Sequence, residues 1–84
     1  MFTVEYSNQA LKFFKRIDNV LAQRILKKIE DLRINPFPQE VKMIEGYAEK
    51  TYRVRVGDYR ILYEVDQNKN FIGIVKIDNR GRVY

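Results

Sequence analysis

The sequence contains neither cysteine nor histidine. The absence of cysteine excludes disulfide bonds, thiolate nucleophiles and cysteine-ligated zinc. The absence of histidine excludes a Ser-His-Asp triad, a histidine acid–base pair and histidine metal ligands. Any catalysis by this chain would therefore depend on arginine, lysine, tyrosine, aspartate or glutamate.

Long apolar runs and ligand-binding motifs are also missing. No run approaches the roughly 20 apolar residues that span a membrane, and the first residues lack the pattern of a signal peptide. The sequence has no Gly-rich phosphate loop, and its carboxylates are scattered without metal-ligand spacing. We therefore expect a cytoplasmic protein with no membrane association, no metal site and no small-molecule cofactor.

Basic residues are the main compositional feature of the chain. Its 84 residues include 16 lysines and arginines against 11 acidic residues, for a formal net charge of +5. This length predicts a single domain over residues 1–84. The charge favours a polyanionic partner such as nucleic acid, or an acidic protein. A small protein that is basic for no specific reason fits the charge equally well.

The first half of the sequence predicts one strand followed by two helices. Alternating residues over Phe2–Tyr6 are typical of a strand, and Ser7 is a favoured N-cap for the helix that would follow. A second stretch with helical spacing begins after Asp18 or Asn19, either of which could cap it. The two prolines of Asn35–Pro38 end the helical pair, because proline fits poorly inside a helix.

The second half predicts a β-hairpin around Gly57 and Asp58. Two runs rich in β-branched and aromatic residues are separated by these two residues alone, which is typical of a type II′ turn. A two-residue turn fixes the register, so that Arg55 faces Arg60. Side chains alternate along strands. One face would then be apolar and part of the core, with Tyr52, Val54, Val56, Tyr59, Ile61 and Tyr63. The other face would carry Arg53, Arg55 and Arg60 around Leu62.

Like charges directly opposite each other destabilise a sheet. We interpret the arginine face as a surface that binds an anion. The arginine side chain presents a planar fork that binds phosphate oxygens in a bidentate manner, which suits the backbone of RNA or DNA. The alternative is a solvated surface on which the arginines pair with Glu64, Asp66 or Asp78.

Two more strands complete the predicted fold. A short strand is expected at Val41–Ile44, and Phe71–Ile77 is apolar on both faces, as a central strand should be. The order is strand, helix, helix and then three or four strands, which predicts an α+β fold. We expect a twisted, mainly antiparallel sheet with two helices packed on one face and the arginine face left open. The residues that follow the last strand could reach the same surface; they include Arg80, Arg82 and Tyr84.

The element order, the stretch Tyr52–Val65 and the ending Asn79–Tyr84 resemble the RelE/ParE superfamily of toxins from prokaryotic type II toxin–antitoxin pairs. Members of the RelE type enter the ribosomal A site and cut the messenger RNA there. The resemblance implies that this chain is a toxin and an endoribonuclease of the mRNA interferase type, which inhibits translation and arrests growth. The implied partners are a cognate antitoxin protein, the ribosome and mRNA.

The resemblance also implies roles for single residues. Arg60 and Arg80 would hold the scissile phosphate and stabilise the negative charge that develops when the 2′-OH attacks it, and Tyr84 would stack on or orient the nucleotide. Arg53 and Arg55 would contact the RNA backbone. Arg82 could contact it as well, because it follows the last strand and could reach the same surface. The residue that acts as the general base is left open.

Two other functions remain compatible with the sequence. A ParE-type toxin would block DNA gyrase by binding it, without cleaving RNA. A non-catalytic member would use the arginine face only to bind nucleic acid or an acidic peptide. The presence of Arg60, Arg80 and Tyr84 together favours the endoribonuclease.

Overall fold

The residues that the structure describes fold into two helices and a five-stranded sheet. The computed structural model describes residues 1–44 and 50–79. The strands lie in the order β1-β5-β4-β3-β2. Strand β1 runs parallel to β5, and the remaining neighbours are antiparallel. The predicted α+β fold is confirmed, with four strands after the helices. The elements are β1 (Thr3–Tyr6), α1 (Asn8–Arg16), α2 (Asn19–Ile34), β2 (Lys42–Ile44), β3 (Thr51–Val56), β4 (Tyr59–Asp66) and β5 (Phe71–Asn79).

Both helices begin at a side chain that caps free backbone N–H groups. The Ser7 hydroxyl accepts a hydrogen bond from the Ala10 N–H at 3.1 Å. The Asp18 carboxylate accepts one from the Leu21 N–H at 2.8 Å, so Asp18 is the cap of α2 and Asn19 is its first residue. Such caps satisfy N–H groups that have no partner within the helix. Within the described residues, neither helix has the length and apolar character needed to cross a membrane.

The core lies between the two helices and one face of the sheet. Both helices contribute buried apolar side chains to it, and so do β3, β4 and β5. The buried members of this cluster are Ala10, Phe13, Ile25, Ile29, Leu32, Val54, Ile61, Tyr63, Ile72, Ile74 and Ile77. The two helices therefore cover one face of the sheet, and alternate residues of the same strands point away from the core.

Tyr63 ties the sheet to the segment that follows α2. Its hydroxyl donates a hydrogen bond to the Pro36 carbonyl oxygen at 2.6 Å, and the tyrosine side chain is fully buried. Burial raises the pKa of the Tyr63 phenol, since the charged phenolate would lose its hydration. The neutral phenol is therefore the form that the folded protein accommodates.

The predicted hairpin and its register are confirmed. Arg55 pairs with Arg60, Arg53 with Leu62, and the turn contains Gly57 and Asp58. Gly57 has a φ of +60°, a left-handed conformation that glycine adopts without a steric penalty. A Cβ atom at this position would also stand 3.1 Å from a guanidinium nitrogen of Arg24 on α2. The hairpin tip and the second helix are thus in close contact.

Candidate phosphate-binding face

The three arginines predicted from the hairpin do share the sheet face that is opposite the helices. Arg55 of β3 is exposed and lies directly opposite Arg60 of β4, which is half-buried. On the other side of Arg60, strand β5 places Asp78. Arg55, Arg60 and Asp78 therefore form a row across three strands, and the carboxylate offsets the repulsion between the two arginines.

A second row runs beside the first and contains two lysines that the sequence did not single out. Lys42 of β2 pairs with Arg53 of β3, which pairs with Leu62 of β4, which in turn pairs with Lys76 of β5. Leu62 is only 3% exposed although it lies outside the core cluster. The aliphatic stems of its basic neighbours can cover such an apolar side chain while their charged groups stay in water.

A β-bulge in β5 decides that Lys76 and Asp78 belong to this face. Leu62 pairs with Lys76, whereas the next residue, Tyr63, pairs with Ile74, so Val75 has no partner on β4. Uninterrupted alternation from the buried Ile74 would turn Lys76 and Asp78 toward the helices. The extra residue reverses the alternation, which is a known use of bulges. The basic face therefore depends on the bulge as well as on the hairpin.

Arg60 and Asp78 form a close ion pair with two contacts. The Arg60 Nε donates to one carboxylate oxygen at 2.7 Å, and Nη2 lies 3.4 Å from the other. The two side chains are 16% and 18% exposed. The Lys76 ammonium lies 3.6 Å from the same carboxylate. Two cations thus share one anion, so these three side chains together carry a net positive charge.

A groove of about 270 Å³ extends the basic face toward the β2 edge of the sheet. It is lined by Glu40, Lys42, Arg53, Val54 and Arg55. The only carboxylate among these lining residues is hydrogen-bonded to the ammonium of Lys28 on α2. That hydrogen bond holds the pKa of the Glu40 carboxyl below its usual value. Glu40 is therefore held by a residue of α2, and Lys42 and Arg55 of the groove are exposed to solvent.

The structure tests the predicted geometry of the site, and the roles assigned to its residues stay predictions. The structure brings Arg53, Arg55 and Arg60 to one face, and it pairs Arg60 with Asp78, as the solvated-surface alternative expected. Arg80, Arg82 and Tyr84 lie outside the described residues, so their predicted location stays a prediction. The structure adds Lys42 and Lys76. Nothing in the local sequence revealed them, because their orientation depends on the pairing of β2 and on the bulge.

Solved structures of RelE toxins are similar to this chain in fold. The archaeal RelE–RelB complex from Pyrococcus horikoshii OT3 aligns with a TM-score of 0.83 and 31% identity, over 98% of each chain. The intact Escherichia coli RelBE complex aligns with a TM-score of 0.81 and 17% identity, over 94% of this chain and 96% of that one. The second match shows the fold alone. Together the fold and its basic face define a RelE-like member of the RelE/ParE superfamily.

Sequence comparison gives the family. A model of the ParE toxin of the type II toxin–antitoxin system parDE matches residues 4–84. A Methanocaldococcus jannaschii protein named "Putative toxin RelE1" is 34% identical over 86 residues, which cover 99% of this chain and 94% of the relative. This chain therefore belongs to the ParE toxin family of type II toxin–antitoxin systems, within the RelE/ParE superfamily.

Proposed function

We propose that this protein is a ribosome-dependent endoribonuclease that cleaves mRNA in the A site and so inhibits translation in the cytoplasm. The observation that carries the proposal is the arginine pair Arg55 and Arg60 on the sheet face that the helices leave uncovered, here called the open face, with Arg60 held by Asp78 at 2.7 Å. A guanidinium held in place next to other cations suits a phosphodiester. The similarity to RelE proteins supplies the reaction and the ribosome.

The reaction requires stabilisation of a developing charge. The 2′-oxygen forms a bond to the adjacent phosphorus, and the bond from phosphorus to the 5′-oxygen breaks. A base takes the 2′-OH proton, and an acid gives a proton to the 5′-oxygen. The phosphorane between these steps carries extra negative charge. Donors that are already oriented stabilise such charge without reorganising. Arg60 is oriented by Asp78, so its guanidinium is the group that we assign to the scissile phosphate.

The other cations of the face contact the RNA on either side of that phosphate. Arg53, Arg55 and Lys42 form a continuous basic surface along β2 and β3 and suit backbone phosphates. From the resemblance we assign Arg80 to the scissile phosphate as a second donor, Tyr84 to the nucleotide base and Arg82 to the backbone. For proton transfer, the described face offers two amines, Lys42 and Lys76. A pH–rate profile of Lys76→Met and Lys42→Met would distinguish between them.

The proposal includes a cognate antitoxin as partner. The Pyrococcus horikoshii relative was solved as a RelE–RelB complex. An antitoxin that inhibits this chain would cover the basic face with an acidic segment, since that face must be open to bind mRNA. Salt screens such contacts. The affinity for the antitoxin should therefore fall as ionic strength rises, and an affinity that does not change with salt would indicate a mainly apolar interface.

Cleavage on programmed ribosomes tests the proposal. Purified protein is added to ribosomes that carry a defined mRNA with an empty A site, and to the same mRNA without ribosomes. Cleavage is expected within the A-site codon on the ribosome, with little cleavage of naked mRNA. Arg60→Ala serves as the inactive control. Intact mRNA on ribosomes after incubation with folded wild-type protein would overturn the assignment.

One specific observation favours a second candidate. The family model that matches residues 4–84 is that of a ParE toxin, and toxins of the ParE type block DNA gyrase without cleaving RNA. A supercoiling assay with purified gyrase decides between the two. Inhibition of supercoiling together with intact mRNA on ribosomes would favour the gyrase inhibitor. Normal supercoiling with cleaved mRNA would exclude it.

A further inference from the structure

The first turn of α1 takes the place of a strand beside the second half of β5. Strand β1 pairs with β5 only from Phe71 to Ile74, and the chain then enters α1. Beyond Ile74, the backbone of β5 is bonded on that side by two side chains. The Ser7 hydroxyl donates to the Val75 carbonyl oxygen at 2.7 Å. The Gln9 amide donates to the Ile77 carbonyl oxygen at 2.8 Å and accepts from the Ile77 N–H at 2.9 Å.

Gln9 thus imitates the peptide group of a neighbouring strand. Its side-chain amide offers one donor and one acceptor to the same residue, as a strand does in a ladder. Ile77 itself is fully buried. A backbone N–H or C=O group left without a partner at such a position is strongly unfavourable. The two hydrogen bonds therefore fix the backbone of β5 at the residue just before Asp78.

The bonded segment is the part of β5 that determines which side Asp78 faces. The bulge residue Val75 is held by Ser7, and Ile77, two residues later, is held by Gln9. Asp78 follows and orients Arg60 through the contact at 2.7 Å. We propose that Gln9 is a positioning residue, which acts through Ile77 and Asp78 to fix the guanidinium of Arg60 on the phosphate-binding face. This inference rests on the proposed endoribonuclease function for its kinetic consequence.

Water can enter at this position if the amide is lost. A cleft of about 490 Å³ opens between the end of α1 and the end of β5, and Gln9, Ile77, Asp78 and Asn79 are among its lining residues. Loss of the amide would expose the Ile77 backbone to this cleft. We expect β5 to loosen there without global unfolding, because the core on the far side of Ile77 keeps its contacts.

The test compares Gln9→Met, which keeps the side-chain length but removes both hydrogen bonds, with Gln23→Met on the exposed face of α2. Amide hydrogen exchange at Ile77 and the NMR signal of the Arg60 Nε–H are measured in each. In Gln9→Met, exchange at Ile77 should be about tenfold faster, and the Arg60 signal should shift toward its position in Asp78→Ala. Gln23→Met should match wild type in both measurements. Gln9→Glu, which keeps only the acceptor, should lie between wild type and Gln9→Met, and it decides the question if Gln9→Met does not fold.

Kinetics separate positioning from a general structural role. On programmed ribosomes, Gln9→Met should lower kcat about tenfold with KM unchanged. In the Asp78→Ala background the same substitution should have no further effect, because residues that act as a unit are not additive. Faster exchange at Ile77 with an unchanged Arg60 signal, or full additivity with Asp78→Ala, would overturn the inference. If wild type does not cleave mRNA, the proposed function fails, while the Arg60 signal still decides whether Gln9 orients the arginine.

Discussion

The two faces of the central strands are built from alternate residues of the same segments, yet they are held in different ways. On the covered face, Val54, Ile61 and Ile74 are at most 1% exposed and pack against the helices. On the open face, Arg55, Arg60 and Asp78 form a row in which position is set by charge and hydrogen bonds. Apolar burial has no preferred direction, whereas an ion pair with two contacts does.

This difference indicates that the two faces have different roles. The covered face supplies the free energy of folding, and the open face keeps charged groups in the orientation that ligand binding requires. The faces meet at the bulge of β5, where one extra residue turns Lys76 and Asp78 outward while Ile74 and Ile77 both remain in the core. Substitutions on the covered face should therefore change stability, and substitutions on the open face should change activity.

The largest effect on the covered face is expected for Ile61→Ala. Ile61 is completely buried, and removing such a side chain lowers the free energy of unfolding by about 2–5 kcal/mol. Urea denaturation at neutral pH measures the change. Arg60→Ala, one residue away on the other face, is the matched comparison and should destabilise the protein less. Equal losses for the two variants would contradict the division between the faces.

The largest effect on the open face is expected for Arg60→Ala in the ribosome assay. Loss of one preorganised donor to a developing charge lowers the rate by about 10²–10³-fold. Arg60→Lys keeps the charge but loses the planar fork that contacts Asp78 in two places, so it should recover only part of the rate. Circular dichroism confirms folding of both variants. Wild-type cleavage by folded Arg60→Ala would remove Arg60 from the proposed reaction.

The parts of the molecule that the sequence predicted are those fixed by local geometry. The Gly57–Asp58 turn sets the register of β3 and β4, so the arginine face followed from counting residues. The bulge at Val75 left no such signal, since Phe71–Ile77 is apolar on both faces and accepts either alternation. Lys76 was missed for this reason. Lys42 was missed because a short strand does not reveal which strand it pairs with.

A smaller effect on stability is expected for Tyr63→Phe, which changes a buried residue of the covered face. The buried hydroxyl donates a hydrogen bond to the Pro36 carbonyl oxygen at 2.6 Å. Its loss leaves that carbonyl group without this partner and should lower the free energy of unfolding by about 1–2 kcal/mol. Because burial raises the pKa of Tyr63 in the folded state, the neutral phenol favours folding below the unfolded pKa of about 10. That contribution is lost as the pH rises above 10.

Urea denaturation of wild type and Tyr63→Phe at pH 8 and between pH 10 and 11.5 tests the predicted pH dependence of the Tyr63 contribution to stability. The wild type should be more stable at pH 8, and the difference should narrow as the pH rises, since only the wild type contains this titrating phenol. Tyr6, whose pKa is also raised mainly by burial, contributes to both proteins and cancels in the comparison. A difference that stays constant across this range would mean that the Tyr63 phenol ionises equally in both states.

The smallest effect is expected for Arg55→Gln, and it separates general charge from the specific face. Arg55 is exposed and lies in the row with Arg60, so we assign it to a backbone phosphate. Removing one phosphate contact should lower the slope of log affinity against log salt by about 1, with a similar loss for every RNA sequence. The matched variant is Lys12→Gln, which removes the same charge from the exposed side of α1. Binding of a short single-stranded RNA is measured from low to physiological salt.

If both variants change the slope equally, the RNA responds to the net charge of the protein rather than to the open face. A change confined to Arg55→Gln means that the phosphates contact the face that the hairpin creates, because the two proteins have the same net charge and differ only in where the cation was removed.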